Sequence, residues 1–571
     1  MRHQSNWVNG AYQLAAQDVI EVINPATEAA IATIDSTSLE TINSIIASSL
    51  DNFSSGVWSR ADASTRFTVL SKAANLLRAR LPEFINLETQ QTGRPIREMK
   101  AQLFRIPEWL EYFASLARTH EGRVTPFKGP VVNTLIRLPL GVVVQITPWN
   151  HPLLIATKKI AAALAAGNSV IVKPSESAPL SVLEMGKLFQ EAGLPDGTLQ
   201  IVSGYGRETG KFLCESPLIS KIDLTGGLAT YEAIAPTASK NLIPITAELG
   251  GKAPVCFFPS MPIEKGVRAA LFASFIASGQ TCVTGSRLLI HSDIYDEFVE
   301  LLVRRTKSLR LGDPTDDRTQ IGAVISRVSV ERCTAFVSHA MVEGGKVLCG
   351  GRPTDVNGKG FFFEPTLIET KAGSNLACNE VFGPVIALIR CDSEEEIIKV
   401  ANATSFALGA SVWSNDFSQA HRVAEKINAG IVWINGHHLN DTSSPWGGFK
   451  ESGMGKENGV EAYESYTKLK STIINYGQEP TWFDDEVENA RYGVIWIFRD
   501  CWEFSEGYVV DSLAPKYEYA AASDLTTAMQ GQGRDRPTSP FMKVPGRPRR
   551  KGNGQKGPQK GPQVGRATPE P

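Results

Sequence analysis

The sequence predicts an α/β protein in which parallel strands are joined by helices. Two observations carry this expectation. Through residue 478, apolar residues recur with helical and strand periodicity in alternation. The short β-prone runs also end, one after another, at clusters of Gly, Pro, Thr or Ser. In open parallel sheets ligands sit beyond the carboxyl ends of the strands, so those clusters are where function is expected. A chain of 571 residues at about 150 per domain suits three to four units, or one discontinuous enzyme with an appended segment.

The elements follow in order. Thr37 with Glu40 forms a capping box, after which Leu39, Ile42, Ile45, Ile46, Leu50 and Phe53 mark an amphipathic helix. Phe67, Leu70, Ala74, Leu77 and Leu81 mark a second. Val124 to Arg137 is β-prone but broken by Lys128-Gly129-Pro130, which predicts a hairpin. Such an arm either pairs with another subunit or lies on the surface of a monomer. Strands are then expected at 141–146, 169–172, 198–202 and 219–224, and Leu242 to Glu248 is a further β-prone run. An apolar helix through Val267, Ala270, Leu271, Ser274, Phe275 and Ala277 stops at Gly279, before a β-prone stretch from Arg287 to Ile290.

Beyond residue 478 the character changes. Trp482 to Glu488 is acidic, Val494 to Phe498 is a short apolar run, and the last thirty or so residues are rich in Gly, Pro, Gln, Lys and Arg. The repeated Gln-Lys-Gly-Pro at 555 and 559 cannot bury enough apolar surface to offset chain entropy, so a largely disordered extension is expected over 479–571. The basic segment PGRPRRKG at 545–552 reads either as a localisation or polyanion-binding tail or as a neutral extension.

Composition excludes several classes. Lys+Arg 58 against Asp+Glu 60 leaves a formal charge of −2, with no cationic surplus for a nucleic acid or an anionic membrane. The 42% hydrophobic and 21% charged content is that of a globular protein. Eight cysteines, at 214, 256, 282, 333, 349, 378, 391 and 501, contain no CxxC, so neither a disulfide framework nor a zinc site is predicted. No apolar run approaches ~18 residues, and MRHQSNWVNG lacks a secretory pattern, so the expectation is a cytoplasmic protein without a membrane partner.

Chemistry is sought among residues at strand ends. Cys282, between the apolar helix and the next strand, is either a small buried hydrophobe or a nucleophile, the latter needing a base or a depressed pKa. Glu248 ends a β-prone run and precedes Gly250-Gly251; it is a solvated loop glutamate or a carboxylate raised by desolvation into general-base range. Gly204-Tyr-Gly206-Arg-Glu-Thr-Gly210 and Thr225-Gly226-Gly227 are turns that can approach phosphate, although GxGxxxG departs from the dinucleotide fingerprint. Lys173 and Glu176, after a buried strand, form a surface ion pair or hold a ribose. His437 and His438 lack a third partner at metal-ligand spacing, so no metal is expected.

Together these residues fall into a recognisable order. Thr147-Pro-Trp-Asn150-His-Pro, Lys173-Pro-Ser-Glu176, Glu248-Leu-Gly-Gly-Lys252, Gly279-Gln-Thr-Cys282, Glu380-Val-Phe-Gly-Pro384 and Pro445-Trp-Gly-Gly-Phe-Lys450-Glu-Ser-Gly resemble the motifs of the aldehyde dehydrogenase superfamily. Cys282 follows Glu248 by 34 residues, which is also that family's usual gap. The resemblance runs from Asn24 to Lys468, about four-fifths of the chain.

The resemblance implies an NAD(P)-dependent, acid-forming enzyme, with a Rossmann-type cofactor domain, an α/β catalytic domain and a β-arm for dimers or tetramers. By its pattern residues 1–121 and 141–250 form the cofactor domain, 122–140 and 464–478 the arm, and 251–463 the catalytic domain. Cys282 attacks the aldehyde, Asn150 and the Cys282 N–H hold the oxyanion, Glu248 activates the hydrolytic water, and Lys159 lies near the proton path. Ile146, Thr147, Pro148, Trp149, Gly206, Gly210, Thr225, Gly226, Gly227, Leu249, Glu380 and Phe382 border the dinucleotide, with Lys173 and Glu176 on the adenine ribose. A carboxylate at Glu176 suits two ribose hydroxyls and repels a 2′-phosphate, so NAD is favoured over NADP.

His151, Leu154, Ile155, Lys158, Ile276, Asn440 and Trp446 surround the aldehyde by the same resemblance. Several are polar where enzymes of aliphatic aldehydes tend to be aromatic, which suggests a polar, aromatic or semialdehyde substrate, with an acid group near Lys158. Gly227 and Tyr231 depart from the family's pattern, which bears on the pyrophosphate contacts. The alternatives are a non-catalytic descendant whose tail is the working part, and a coenzyme A-acylating dehydrogenase; relatives of the latter kind generally lack the base at Glu248.

Overall fold

The computed structural model describes residues 2–13 and 18–477. The expectations placed on 479–571, with Cys501 and the PGRPRRKG segment, lie outside the described residues. Two large sheets dominate. The first has the strand order Gly453–Met454, Ile245–Glu248, Lys221–Thr225, Val142–Thr147, Ser169–Pro174, Leu199–Ile201, Asn6–Val8, Ala11–Gln13. Its five central strands are parallel. Chain order moves outward from Val142–Thr147 in one direction and then returns to its other side, so the switch point lies between Val142–Thr147 and Lys221–Thr225.

These strands form where β-branched residues run together, and both faces of Val142–Thr147 and Ser169–Pro174 are buried throughout. The helix Pro152–Ala165 connects them. Only its Leu154 and Ile155 are half-buried; its other residues are buried, and five alanines let neighbouring elements approach closely. Each Leu, Ile or Val buried in this way contributes roughly 1.5–3 kcal/mol.

The second sheet runs Lys346–Cys349, Thr366–Glu369, Val385–Cys391, Arg287–His291, Pro254–Phe257, Gly409–Trp413, Ile431–Ile434. It is parallel except at Lys346–Cys349. A third, antiparallel sheet contains the expected hairpin: Arg123–Thr125 pairs with Val131–Pro139, and Val131–Pro139 pairs in turn with Thr467–Asn475, from Thr467 opposite Pro139 to Asn475 opposite Val131.

Two local expectations are corrected. The first helix, Leu39–Ser55, is capped by Ser38, whose hydroxyl accepts from Thr41 N, rather than by Thr37. The Thr37 hydroxyl is occupied instead by donating to Ser203 O at 2.6 Å and accepting from Asn6 Nδ2 at 2.8 Å. The apolar helix Ile263–Phe275 stops before Gly279. Ala277 and Ser278 adopt left-handed φ of 52° and 53°, held there because the Glu98 carboxylate accepts from Ala277 N and Ser278 Oγ donates to Gly322 O.

Candidate active site

The two strands at the switch point carry the first loops of the site. Val142–Thr147 leads into Pro148, Trp149 and Asn150, with Pro152 opening the next helix, where its missing N–H leaves no bond unmade. Lys221–Thr225 leads into Gly226 and Gly227, and Ile245–Glu248 ends on Glu248 itself. From the second sheet come Cys282, in the turn before Arg287–His291, and Glu380 and Phe382, just before Val385–Cys391. Pro148, Trp149, Asn150, Gly226, Gly227, Glu248, Cys282, Glu380 and Phe382 all line one cavity of about 260 Å³.

Cys282 and Glu248 therefore share a void. Glu248 is 4% exposed and neither of its oxygens has a hydrogen-bond partner. Such a carboxyl group is costly to bury unless a ligand, water or reacting group meets it. Burial, reinforced by Glu457, pushes its pKa well up. Burial with Glu248 and Glu380 pushes the Cys282 thiol up to about 12, so the thiol keeps its proton until a base takes it. Asn150 Nδ2 donates to Gln280 O at 2.9 Å, which fixes the amide beside the Cys282 turn and leaves its second hydrogen free.

The approach of these groups depends on glycine. A Cβ on Gly250 would lie 2.4 Å from Glu380 Oε2, one on Gly251 would lie 2.3 Å from Cys282 O, and one on Gly447 would lie 2.5 Å from Glu248 Oε1. The pair after Glu248 thus lets a carboxylate and the backbone of the cysteine turn close in on the same strand end.

Behind Glu248 lies a buried charge network. Glu457 Oε2 is 2.7 Å from Lys158 Nζ and its Oε1 is 2.6 Å from Lys159 Nζ. Lys159 also meets Asp223, which accepts from Tyr466 Oη. Burial opposes ionisation of Glu457, but the two ammonium groups prevail and hold it down to about 2. Burial likewise lowers Lys159, and Asp223 and Glu457 more than restore it. Lys158 is therefore already paired, and its Nζ lies 5.3 Å over the ring of Trp446.

The residues at the sheet's carboxyl edge suit a dinucleotide. Gly227 caps the helix Leu228–Lys240, whose N-terminal N–H groups suit an anion, and a Cβ at Gly227 would meet nothing within 4 Å. Its bareness leaves open space rather than relieving a clash. Lys173 is buried with Nζ 3.0 Å from the partly exposed Glu176, a cation holding a carboxylate that can accept from ribose hydroxyls. Glu380 accepts from Gly251 N at 2.8 Å, and burial raises it to about 7. Phe382 stands edge-on to Trp149, ring centroids 5.3 Å apart.

Of the residues singled out from sequence, the cavity also gathers His151, Leu154, Lys158, Thr225, Leu249, Asn440 and Trp446. Ile276 lines an adjoining cavity. Ile146, Thr147, Lys159, Lys173, Glu176, Gly206 and Gly210 line neither; Gly206–Gly210 is a single wide turn leading into the short helix Lys211–Glu215. Tyr231 is not part of the lining either, and its hydroxyl lies 3.9 Å from Met454 Sδ. His437 is committed to Ser411 and to Val283 O. Sequence reasoning missed Glu457 and Arg332, both of which line the cavity. Neither has a local signal: Arg332 reaches Phe382 O across 50 residues.

Comparisons with known proteins agree in kind. Residues 12–472 match the model of the aldehyde dehydrogenase family. A 4-trimethylaminobutyraldehyde dehydrogenase of Oryzias latipes is 37% identical over 75% of this chain and 85% of its own. A betaine aldehyde dehydrogenase of Mesorhizobium japonicum is 37% identical over 83% of this chain and 97% of its own. Among solved structures, the betaine aldehyde dehydrogenase of Staphylococcus aureus in complex with NAD+ superposes with a TM-score of 0.83 at 35% identity, covering 84% of this chain and 97% of that one.

Proposed function

The chain belongs to the aldehyde dehydrogenase family, and on that footing we propose that it oxidises an aldehyde to a carboxylic acid with NAD, through Cys282 as nucleophile and Glu248 as general base. The observation that carries this is the shared cavity, in which Glu248 keeps two unpartnered oxygens toward the space that Cys282 borders.

Glu248 takes the Cys282 proton and releases it to solvent, and the sulfur bonds to the carbonyl carbon while the carbonyl π pair moves onto oxygen. The oxyanion is met by the free Asn150 amide hydrogen and the Cys282 N–H; one such donor is worth about a hundred- to a thousandfold in rate. Bound NAD supplies the acceptor for the hydrogen and electron pair that leave the aldehyde carbon. Lys173, Glu176, Gly226, Gly227, Glu380 and Phe382 would hold it. Glu248 then takes a proton from the water that attacks the thioester, the carbon–sulfur bond breaks, and the acid departs. Glu457, balanced by Lys158 and Lys159, sets how readily Glu248 accepts that proton.

The boundaries expected from sequence follow with this reading: residues 1–121 and 141–250 around the cofactor, 251–463 around the nucleophile, and the arm formed by 122–140 and 464–478. The exposed Leu469 and Ile473 on the arm support self-association. A reducing compartment, the cytoplasm, fits the seven described cysteines, all free thiols.

Absorbance of NADH with an aldehyde panel tests the reading. Wild type turns over, Cys282→Ala does not, and Glu248→Gln releases about one NADH per site and then stalls as an acyl-enzyme. Steady wild-type turnover by Glu248→Gln, or turnover that requires coenzyme A, overturns it.

A further inference from the structure

The catalytic cavity adjoins a second one of about 620 Å³, and Leu154, His438 and Asn440 belong to both walls. Four arginines line the second cavity, Arg94, Arg97, Arg105 and Arg268, against a single carboxylate, Glu98. Arg94 uses that carboxylate at 3.3 Å. Arg105 leans on Glu108 at 3.1 Å and Asp441 at 3.8 Å. Glu264, one helical turn before Arg268, is taken by Arg305 at 3.2 Å. Arg97 and Arg268 are exposed and, among the described residues, form no ion pair.

Deeper in, His151 is 5% exposed, lines the catalytic cavity, and has an Nε2 without a hydrogen-bond partner. His438 faces it, ring centroids 6.0 Å apart. Burial above all, with Arg94 and Lys158 adding to it, keeps both rings neutral, so each offers one N–H and one acceptor nitrogen. Of the aromatic rings lining the catalytic cavity, that of Trp446 already carries the chain's own Lys158 over its face.

We infer that the aldehyde oxidised here bears a carboxylate at the end remote from its carbonyl, passing His151 and His438 and held at the mouth by Arg97 and Arg268. This rests on the proposed oxidation at Cys282 and names the class of its substrate, an aldehyde acid; the product is then a dicarboxylate. The fixed charges on the second cavity's wall are cationic in surplus, a cationic aldehyde meets those arginines, and an uncharged one leaves both of them unused.

The test uses the full chain with NAD and compares 4-oxobutanoate and 6-oxohexanoate with their methyl esters and with betaine aldehyde. The better carboxylate is favoured over its ester by about tenfold or more in kcat/KM, carried by KM and reduced at high salt. In Arg97→Ala/Arg268→Ala the ratio falls toward one. Esters or betaine aldehyde matching the carboxylates, or a double variant that keeps the ratio, overturns the inference. Calorimetric titration with adipate, which is not oxidised, separates this from the proposed function. If no aldehyde is oxidised that function fails, and the inference then stands only if wild type binds adipate and the double variant binds it more weakly.

Discussion

Gly251→Ala converts one missing methyl group into a measurable loss of catalysis. The Gly251 backbone φ is not in the left-handed region, so alanine is conformationally acceptable and the whole effect is contact. Its Cβ would lie 2.3 Å from the Cys282 carbonyl oxygen, 3.4 Å from the Cys282 carbonyl carbon and 3.3 Å from Leu408 Cβ. Restoring ordinary contact at the oxygen requires about 1 Å of movement. A backbone carbonyl cannot rotate away as a side-chain tip can, and Val283, the next residue, is fully buried among Leu408, Trp433 and Trp446. The turn that carries the sulfur must therefore shift. A 1 Å misplacement of a reacting group costs about a hundredfold in rate, while overpacking of this kind costs about 1–3 kcal/mol of stability. The expected result is a kcat lowered about a hundredfold in a protein that still unfolds cooperatively, with Cys282 alkylated by iodoacetamide at an altered rate. Gly250→Ala is the companion: its Cβ meets Glu380 Oε2, the end of a flexible side chain, so KM for NAD rises and kcat falls less. A Gly251→Ala enzyme within threefold of wild-type kcat would refute the geometry assigned to the nucleophile.

Two further outcomes follow from buried charge. Glu88 is 1% exposed, and burial raises it to about 7 against the partial help of Ser181 and Gln91. Because its folded pKa lies above its unfolded one near 4.5, the native state holds the extra proton. Its burden on stability is absent below about pH 4.5, grows as pH rises, and is full above 7, at most about 3 kcal/mol. Glu88→Gln should therefore raise Tm at pH 8 and leave it unchanged at pH 4.5; equal gains at both pH values would discard the argument. Lys158→Met and Glu457→Gln should move the acid limb of the kcat profile in opposite directions, up and down. The first removes a cation that favours Glu248 carboxylate and the second an anion that opposes it. Glu457→Gln also leaves two buried ammonium groups short of a partner, a cost of about 3–5 kcal/mol that circular dichroism melts will register. Shifts of the same sign in the two folded variants would contradict the assignment of the limb to Glu248.

What could be read from the chain and what could not divide by the range of the interaction responsible. Val142–Thr147 and Ser169–Pro174 were legible because β-branched runs buried on both faces need no partner to be recognised. Cys282, Glu248 and Asn150 were legible because each stands at a strand or helix boundary within a motif. The errors arose where a distant group settled a local choice. Thr37 and Ser38 are equivalent caps until Ser203 occupies the first, and the stop at Gly279 moved because Glu98, 179 residues away, takes the Ala277 N–H. Lys158 shows the consequence for chemistry. Alone in its motif it is a free cation awaiting an acidic substrate, whereas Glu457 engages it at 2.7 Å. The substrate's charge must then be sought at Arg97 and Arg268, which no motif marks. A chain with every motif intact and glutamine at 457 would look unchanged, and its Glu248 would still hold a different proton affinity. The motifs place the reacting atoms, but the acidity of those atoms belongs to pairs that only the fold assembles.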